Sequence, residues 1–300
     1  TMSCHPAMEE MVFSATYSDS RTRTVLTDGV HIYWLPGDQI SVCGAQEPFD
    51  CTAQEPSAVT EFRGFAPESL IYYAFYPYSE DASFSSSDTT LTLTIPQVQK
   101  YQENTFATDV VPMVAKFNIG DSLYFKNICG GFVVKMTGTQ KITNLRLTML
   151  NASGDDAKVA GKFKVDLKSD VYPMISTDQS TTSISIDCGD GVRLDPTTPT
   201  AFHFILPPAE YKGVKLVITS SDGERMVKSS SKNINIRRSN ITYASAFEYE
   251  DNVVPVDLSR QGHSNCYLVP ELGIYSFDAT VIVNGAFGMV DNAGFHTDDY

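Results

Sequence analysis

Three hundred residues, 42% of them apolar and 11% aromatic, are enough to fill one large core or two ordinary ones. Asp and Glu number 36 against 22 Lys and Arg, a formal charge of −14, and no basic stripe with interleaved aromatics is present, which excludes nucleic acid as a partner. No apolar run approaches the roughly 18 to 20 residues of a membrane-spanning helix, and no charged segment leads into an apolar one at the N-terminus, as expected of a chain that is cytoplasmic or has lost an export signal.

Met11 to Tyr17 (MVFSATY) reads as the first strand. Arg21-Thr22-Arg23 follows as a basic, exposed linker: either an ordinary strand connection or the kind of accessible segment a trypsin-like protease needs. Thr24 to Val42 reads as one β-hairpin. Val30, Ile32 and Trp34 share a face, Leu35-Pro36-Gly37-Asp38 has the residues of a type II turn, and Ile40 and Val42 lie on the returning strand. Trp34 is the only tryptophan, and so a natural core anchor. Cys43 and Cys51 could bridge a short loop in an oxidising compartment or stand as small, partly buried thiols, and the scattered cysteines contain no CxxC pair.

Ile71 to Tyr76 predicts an apolar central strand and Ser79 to Thr90 a serine-rich loop. Leu91 to Ile95 alternates cleanly, and Pro96 to Asp109 is polar enough to be a crossing between domains. After Asn118 to Asp121 a second unit is predicted from Leu123 to Phe247. Leu145, Leu147 and Met149 alternate with polar neighbours, as do the segments 183–187, 214–218 and 233–237, and turns fall at 151–156, 187–191 and 221–223. No window of a dozen residues sustains i, i+3, i+4 apolar spacing. The pattern predicts an all-β chain of two tandem antiparallel β-sandwich domains, 1–121 and 122–249, with a short C-terminal β tail at 250–300 that is too small to bury a core alone.

Enzyme signatures of the GxSxG, GxxxxGK[ST], GxGxxG and HExxH types are absent, so the chain is read as a non-enzyme with no cofactor. His31 and His203 fall in predicted strands opposite the apolar set and are expected at the surface or at an edge. Asp187, Asp190 and Asp195 bracket a Gly-rich turn that could bind calcium, but their spacing misses the EF-hand pattern and suits carboxylates that cap their own backbone. Tyr72, Tyr73, Phe75, Tyr76 and Tyr78 form the densest aromatic cluster. Alternate rings should be core, and any exposed ones could stack on sugars.

Several segments together resemble a known family. They are Arg23-Thr24 followed by Trp34, Gly37-Asp38 and Ile40-x-Val42, then Asp109 to Ala115 (DVVPMVA), Leu123 to Gly138 (LYFKNICGGFVVKMTG), Ala160 to Leu167 (AGKFKVDL), Ile205 to Pro208 and Ile236 to Ile241. In this order they resemble the fimbrillin-like (Mfa-like) proteins, lipoprotein-derived pilus subunits of Bacteroidetes-type bacteria. The resemblance implies two transthyretin-like antiparallel β-sandwiches in a structural or adhesive subunit of a fimbrium, exported to the cell surface and outer membrane. Its implied partners are other fimbrial subunits and a host or bacterial surface glycan or protein.

The resemblance further implies anchoring through a lipid on Cys4, trimming by an arginine-specific protease at Arg21 or Arg23, and loss of the first strand, with Val12 and Phe13 among its groove-filling residues. A strand from the next subunit would then fill the groove. Ile274 to Val283 is the best donor by alternation, with Tyr275, Phe277, Ala279, Val281 and Val283 on one face. Ser264 to Val269, with Tyr275 and Phe277 beyond it, resembles the start of an extra C-terminal module. That supports an alternative: a glycan-binding surface lipoprotein or tip adhesin that does not polymerise.

Overall fold

Alternation builds the first core. The computed structural model describes residues 7–17, 33–107, 110–250, 286–290 and 294–298. Its opening strands are β1 (Met8–Tyr17), β2 (Gln39–Val42), β3 (Phe49–Cys51), β4 (Val59–Pro67) and β5 (Ile71–Tyr76). The turn at 35–38 forms as its residues dictate: the Asp38 N–H donates to the Leu35 carbonyl at 3.1 Å, and Gly37 sits at φ +88°. Residues 24–32 of the hairpin expected around it lie outside the described residues, and the described part pairs otherwise. Trp34 exchanges two backbone hydrogen bonds with Ser57, at 2.8 and 2.9 Å, while β2 pairs with β3 and β5. The indole accounts for this. It is fully buried, with Phe62, Tyr76 and Phe125 edge-on at 5.0, 5.4 and 5.3 Å, so the backbone at 34 follows the ring. Val30 and Ile32 lie outside the described residues.

The chain then leaves and returns. β6 (Ser83–Ser85), β7 (Thr90–Ile95) and β8 (Val98–Lys100) join the later strands, whereas β9 (Met113–Asn118) and β10 (Leu123–Asn127) go back to the first core. There the ladder β1-β10-β9-β5-β2-β3-β4 closes on itself, with β4 paired to β1. This corrects two placements. Segment 83–100 was expected within the first sandwich and at its exit, and Leu123 was expected to open the second. Instead Leu91, Leu93 and Ile95 bury with the later strands, while Leu123 and Phe125 bury with Trp34. Burial partners far along the chain decide membership, and composition near a boundary does not register them.

The second core is built on β11 (Gly130–Thr137), β12 (Lys141–Leu150), β13 (Ala160–Asp166), β14 (Met174–Thr181), β15 (Ser183–Arg193), β16 (Thr200–Leu206), β17 (Ala209–Tyr211), β18 (Gly213–Ser220), β19 (Arg225–Ser230), β20 (Ile234–Ile236), β21 (Ile241–Tyr243) and β22 (Phe247–Glu248). Its sheets run β19-β18-β12-β15-β8, β14-β13-β7-β6, and β16-β11-β21 with β22 also on β11, beside the β17-β20 pair. Leu145, Leu147 and Met149 are fully buried, on the face their alternation assigns. The turn expected at 187–191 is a break within β15. Asn144 faces Asp187 and Ile142 faces Val192, so residues 188–191 have no counterpart on β12, and Gly189 and Gly191 take φ +56° and +108°.

The fold is all-β and sandwich-type, though not purely antiparallel: β1 with β10, β8 with β15, and β11 with both β21 and β22 are parallel pairs. β23 (Ala286–Val290) and β24 (Gly294–Asp298) pair with each other and with no other described strand.

Candidate functional site

β1 closes the first core between β4 and β10. Nine residues of β1, Met8 to Thr16, lie antiparallel to Pro67 through Val59 of β4, and Ala15 to Tyr17 lie parallel to Leu123 to Phe125 of β10. One face of β1 therefore looks inward, with Phe13 at 6% exposure and Ala15 at zero. The Phe13 ring is held on three sides: Phe49 stacks on it at 5.5 Å and 15°, Tyr72 is tilted at 5.4 Å, and Phe117 is edge-on at 4.9 Å. Emptying this cage by a Phe→Ala change costs about 3 to 5 kcal/mol by analogy with other cores. Gly64 makes room for it. A Cβ there, on the inward face of β4, would come within 2.5 Å of the Phe49 ring. On the outer face Glu10 and Arg63 form an ion pair at 3.5 Å, both side chains more than half exposed, worth at most about 1 kcal/mol. Backbone ladder and one caged aromatic hold β1.

Of the two residues named for the groove, Phe13 is buried in the first core. Val12 is 43% exposed on the outer face, opposite Arg63. A step of one residue along a strand reverses the face. Arg21, Arg23, Cys4 and the donor residues Tyr275, Phe277, Ala279, Val281 and Val283 lie outside the described residues.

The remaining candidates serve packing. Cys43 and Cys51 are free thiols, not a bridge; burial pushes the Cys43 thiol up to about 12, and the Cys51 sulfur lies 3.3 Å from the Thr60 hydroxyl. His203 is not at the surface. It is buried in β16, edge-on to Phe106 at 5.2 Å, and burial, aided by Lys135, lowers its pKa to about 4. β16 is buried on both faces along Phe202 to Leu206, so alternation could not place the imidazole. His31 lies outside the described residues. Asp187 accepts the Gly189 N–H at 2.9 Å, and one oxygen of Asp195 accepts the Thr197 and Thr198 N–H groups at 2.7 and 2.6 Å, so both cap their own turns. Among the described residues no three His, Cys, Asp or Glu side chains gather as metal ligands.

The aromatic cluster is likewise engaged. Tyr72 is buried and stacks on Phe117 at 5.4 Å, while its hydroxyl donates to the Pro67 carbonyl and accepts the Ser69 N–H. Tyr73 stacks on Phe84 at 5.3 Å with the Lys116 ammonium 5.8 Å from its centroid, Phe75 is buried, and the Tyr76 hydroxyl reaches Asp38 at 3.2 Å.

No family model matches the sequence, and no curated protein matches it. Among solved structures, a Bacteroides ovatus protein whose name proposes a role in cell adhesion is similar at TM-score 0.51 and 12% identity, over 82% of this chain and 94% of its own. A similarly named Bacteroides uniformis protein reaches 0.42 at 13% identity, over 74% and 84%. A fimbrial assembly protein from Parabacteroides distasonis reaches 0.22 at 7% identity, over 74% and 99%. At such identities the first likeness establishes a shared fold.

Proposed function

We propose that the chain is a non-enzymatic structural or adhesive subunit of a cell-surface fimbrium, assembled by protease-triggered β-strand exchange. The observation that carries this reading is the position of β1. It is the first described element, it is followed in sequence by Arg21 and Arg23, and it closes the first core between β4 and β10. Cleavage in that linker cuts the covalent tie and leaves β1 held by ladder and cage alone. Its departure exposes the hydrogen-bonding edges of two strands and an aromatic cleft, the conditions under which strand addition is strongest. The family resemblance supports the role, and the name of the Bacteroides ovatus neighbour points toward adhesion. On this reading Cys4 carries the lipid before assembly, Arg21 or Arg23 is the cleavage point, and other subunits are the partners. The polymerising unit comprises β1 to β5 with β9 and β10, and the later strands with β6 to β8 form the second unit.

The test is to incubate the purified chain with an arginine-specific protease and run it unheated in SDS. A ladder of SDS-resistant multimers is expected, together with release of the peptide carrying Met11 to Tyr17. Chains that remain monomers under every trimming condition overturn the polymerising role.

A further inference from the structure

The second core has an open side. β19 ends one of its sheets and β21 ends another, and among the described strands each pairs with a single neighbour, β18 and β11 respectively. Directly opposed residues of an antiparallel pair share a face, so β18 shows which side of β19 looks inward. Ile218, Leu216 and Val214 lie across from Met226, Lys228 and Ser230. All three β18 residues are buried and so is Met226, but Lys228 is exposed. The inward face of β19 thus turns from apolar to a lysine and a serine while β18 beside it stays apolar. Between β19 and the segment from Thr242 to Phe247 this leaves a cleft of about 490 Å³, a size typical of small-molecule sites. The far wall is fixed to β11: the Ala244 N–H donates to the Val133 carbonyl at 2.9 Å, and Phe247 pairs with Met136.

Charge and floor together define what fits. Carboxylates outnumber cations 36 to 22 in the chain, yet among the described residues no Asp or Glu lines the cleft, whereas Lys228 and Lys232 both do. Neither lysine forms an ion pair with a described residue. The Lys228 ammonium lies 5.4 Å from the centroid of the Phe247 ring, a contact that occupies one side of a group with three donors. An inward lysine on an edge strand also discourages other strands from pairing there, but that task needs no apolar floor. This cleft has one, made by Phe132, Val214, Leu216 and Ile234. Three of the four are aliphatic, which suits an alkyl chain more than the hydroxyl-studded face of a sugar. Of the two rings at the rim, Phe247 has Lys228 over it and Tyr243 has Lys135, at 5.2 Å, so one face of each is already taken.

We propose that the cleft between β19 and residues 242–247 binds an aliphatic carboxylate, with the anionic head on Lys228 and Lys232 beside it, and the alkyl body along Val214, Leu216, Phe132 and Ile234. The site lies wholly in the second core and is independent of strand exchange, which concerns the first.

The full chain is titrated calorimetrically with decanoate below its micelle concentration, and with decanol, acetate and glucuronate. Saturable binding of decanoate at one site is expected, with decanol at least about tenfold weaker because it lacks the charge-assisted bond to the ammonium, and with acetate and glucuronate not binding. Lys228→Met keeps the length of the side chain and removes its charge. It is expected to bring decanoate down to the level of decanol and to leave decanol unchanged. Ala246→Trp, at an exposed position on the rim, fills the cleft without touching the core and is expected to abolish binding of both, with far-UV circular dichroism unaltered. Absence of saturable decanoate binding to the unaltered chain overturns the proposal. Equal affinity for decanol and decanoate overturns recognition of the carboxylate, and glucuronate binding as tightly as decanoate overturns the aliphatic body. Decanoate binding that survives undiminished in both variants places the ligand elsewhere and overturns the site.

Discussion

At position 203 an imidazole is kept neutral by its surroundings. His203 is 6% exposed and its Nδ1 has no hydrogen-bond partner among the described residues; burial first, and the nearby Lys135 second, take its pKa from 6.5 to about 4. Between those values the unfolded chain binds a proton that the folded chain refuses, so stability rises with pH across the interval. The contribution of the neutral ring is complete above about 6.5 and is lost as pH falls toward 4. The expected outcome is that His203→Phe, which keeps an aromatic ring against Phe106, shrinks the fall in denaturation midpoint between pH 7 and pH 5. An equal fall in both proteins rejects the assignment. Gly64 is a residue of the same kind: its role, leaving room for the Phe49 ring, belongs to a contact with another strand and has no local sequence signal.

Among elements, β8 shows how a polar segment can be core. Gln99 is 1% exposed, and its amide takes both sides of Ile205, donating to the carbonyl at 3.1 Å and accepting the N–H at 3.0 Å. The side chain does what a neighbouring strand would otherwise do. Gln99→Leu leaves two buried backbone groups unpaired, and is expected to cost about 2 to 5 kcal/mol, read as a lower urea midpoint with an unchanged slope. A variant within a few tenths of the natural chain would mean that water reaches Ile205. The same strand explains what the sequence hid. β7 and β12 were legible because one apolar face alternates with a polar one along each of them, and β5 because it is a short run of apolar and aromatic residues throughout. β8 read as a crossing because its buried residue is polar. At Trp34 a distant packing site outweighed the local turn signal, and its backbone pairs with Ser57. At the candidate site, β1 itself was readable as a strand, whereas Phe13 was named together with Val12 only through the family resemblance, and the cage of Phe49, Tyr72 and Phe117 was not readable, since strands β3, β5 and β9 supply it from far along the chain.

In the whole molecule the two cores share a wall. One face of β5 and β9 gives Tyr72, Ala74, Met113, Ala115 and Phe117 to the first core, and the other gives Phe75 and Val114 to the second. The chain crosses between the cores near Tyr76, Met113 and Asn127, so neither can be cut away as one continuous piece. Unfolding the first core strips the wall from the second and exposes Phe75 and Val114 to water, which couples the two transitions. Trp34, the sole tryptophan, reports on the first core alone, while far-UV circular dichroism reports on strands of both. In urea the fluorescence and dichroism curves are expected to coincide. Phe75→Ala, at a cost of about 3 to 5 kcal/mol, should shift both by the same amount although its side chain lies in the second cluster. Separate midpoints in the natural chain, or a variant that moves dichroism and leaves the Trp34 signal in place, would show that the shared wall does not couple them.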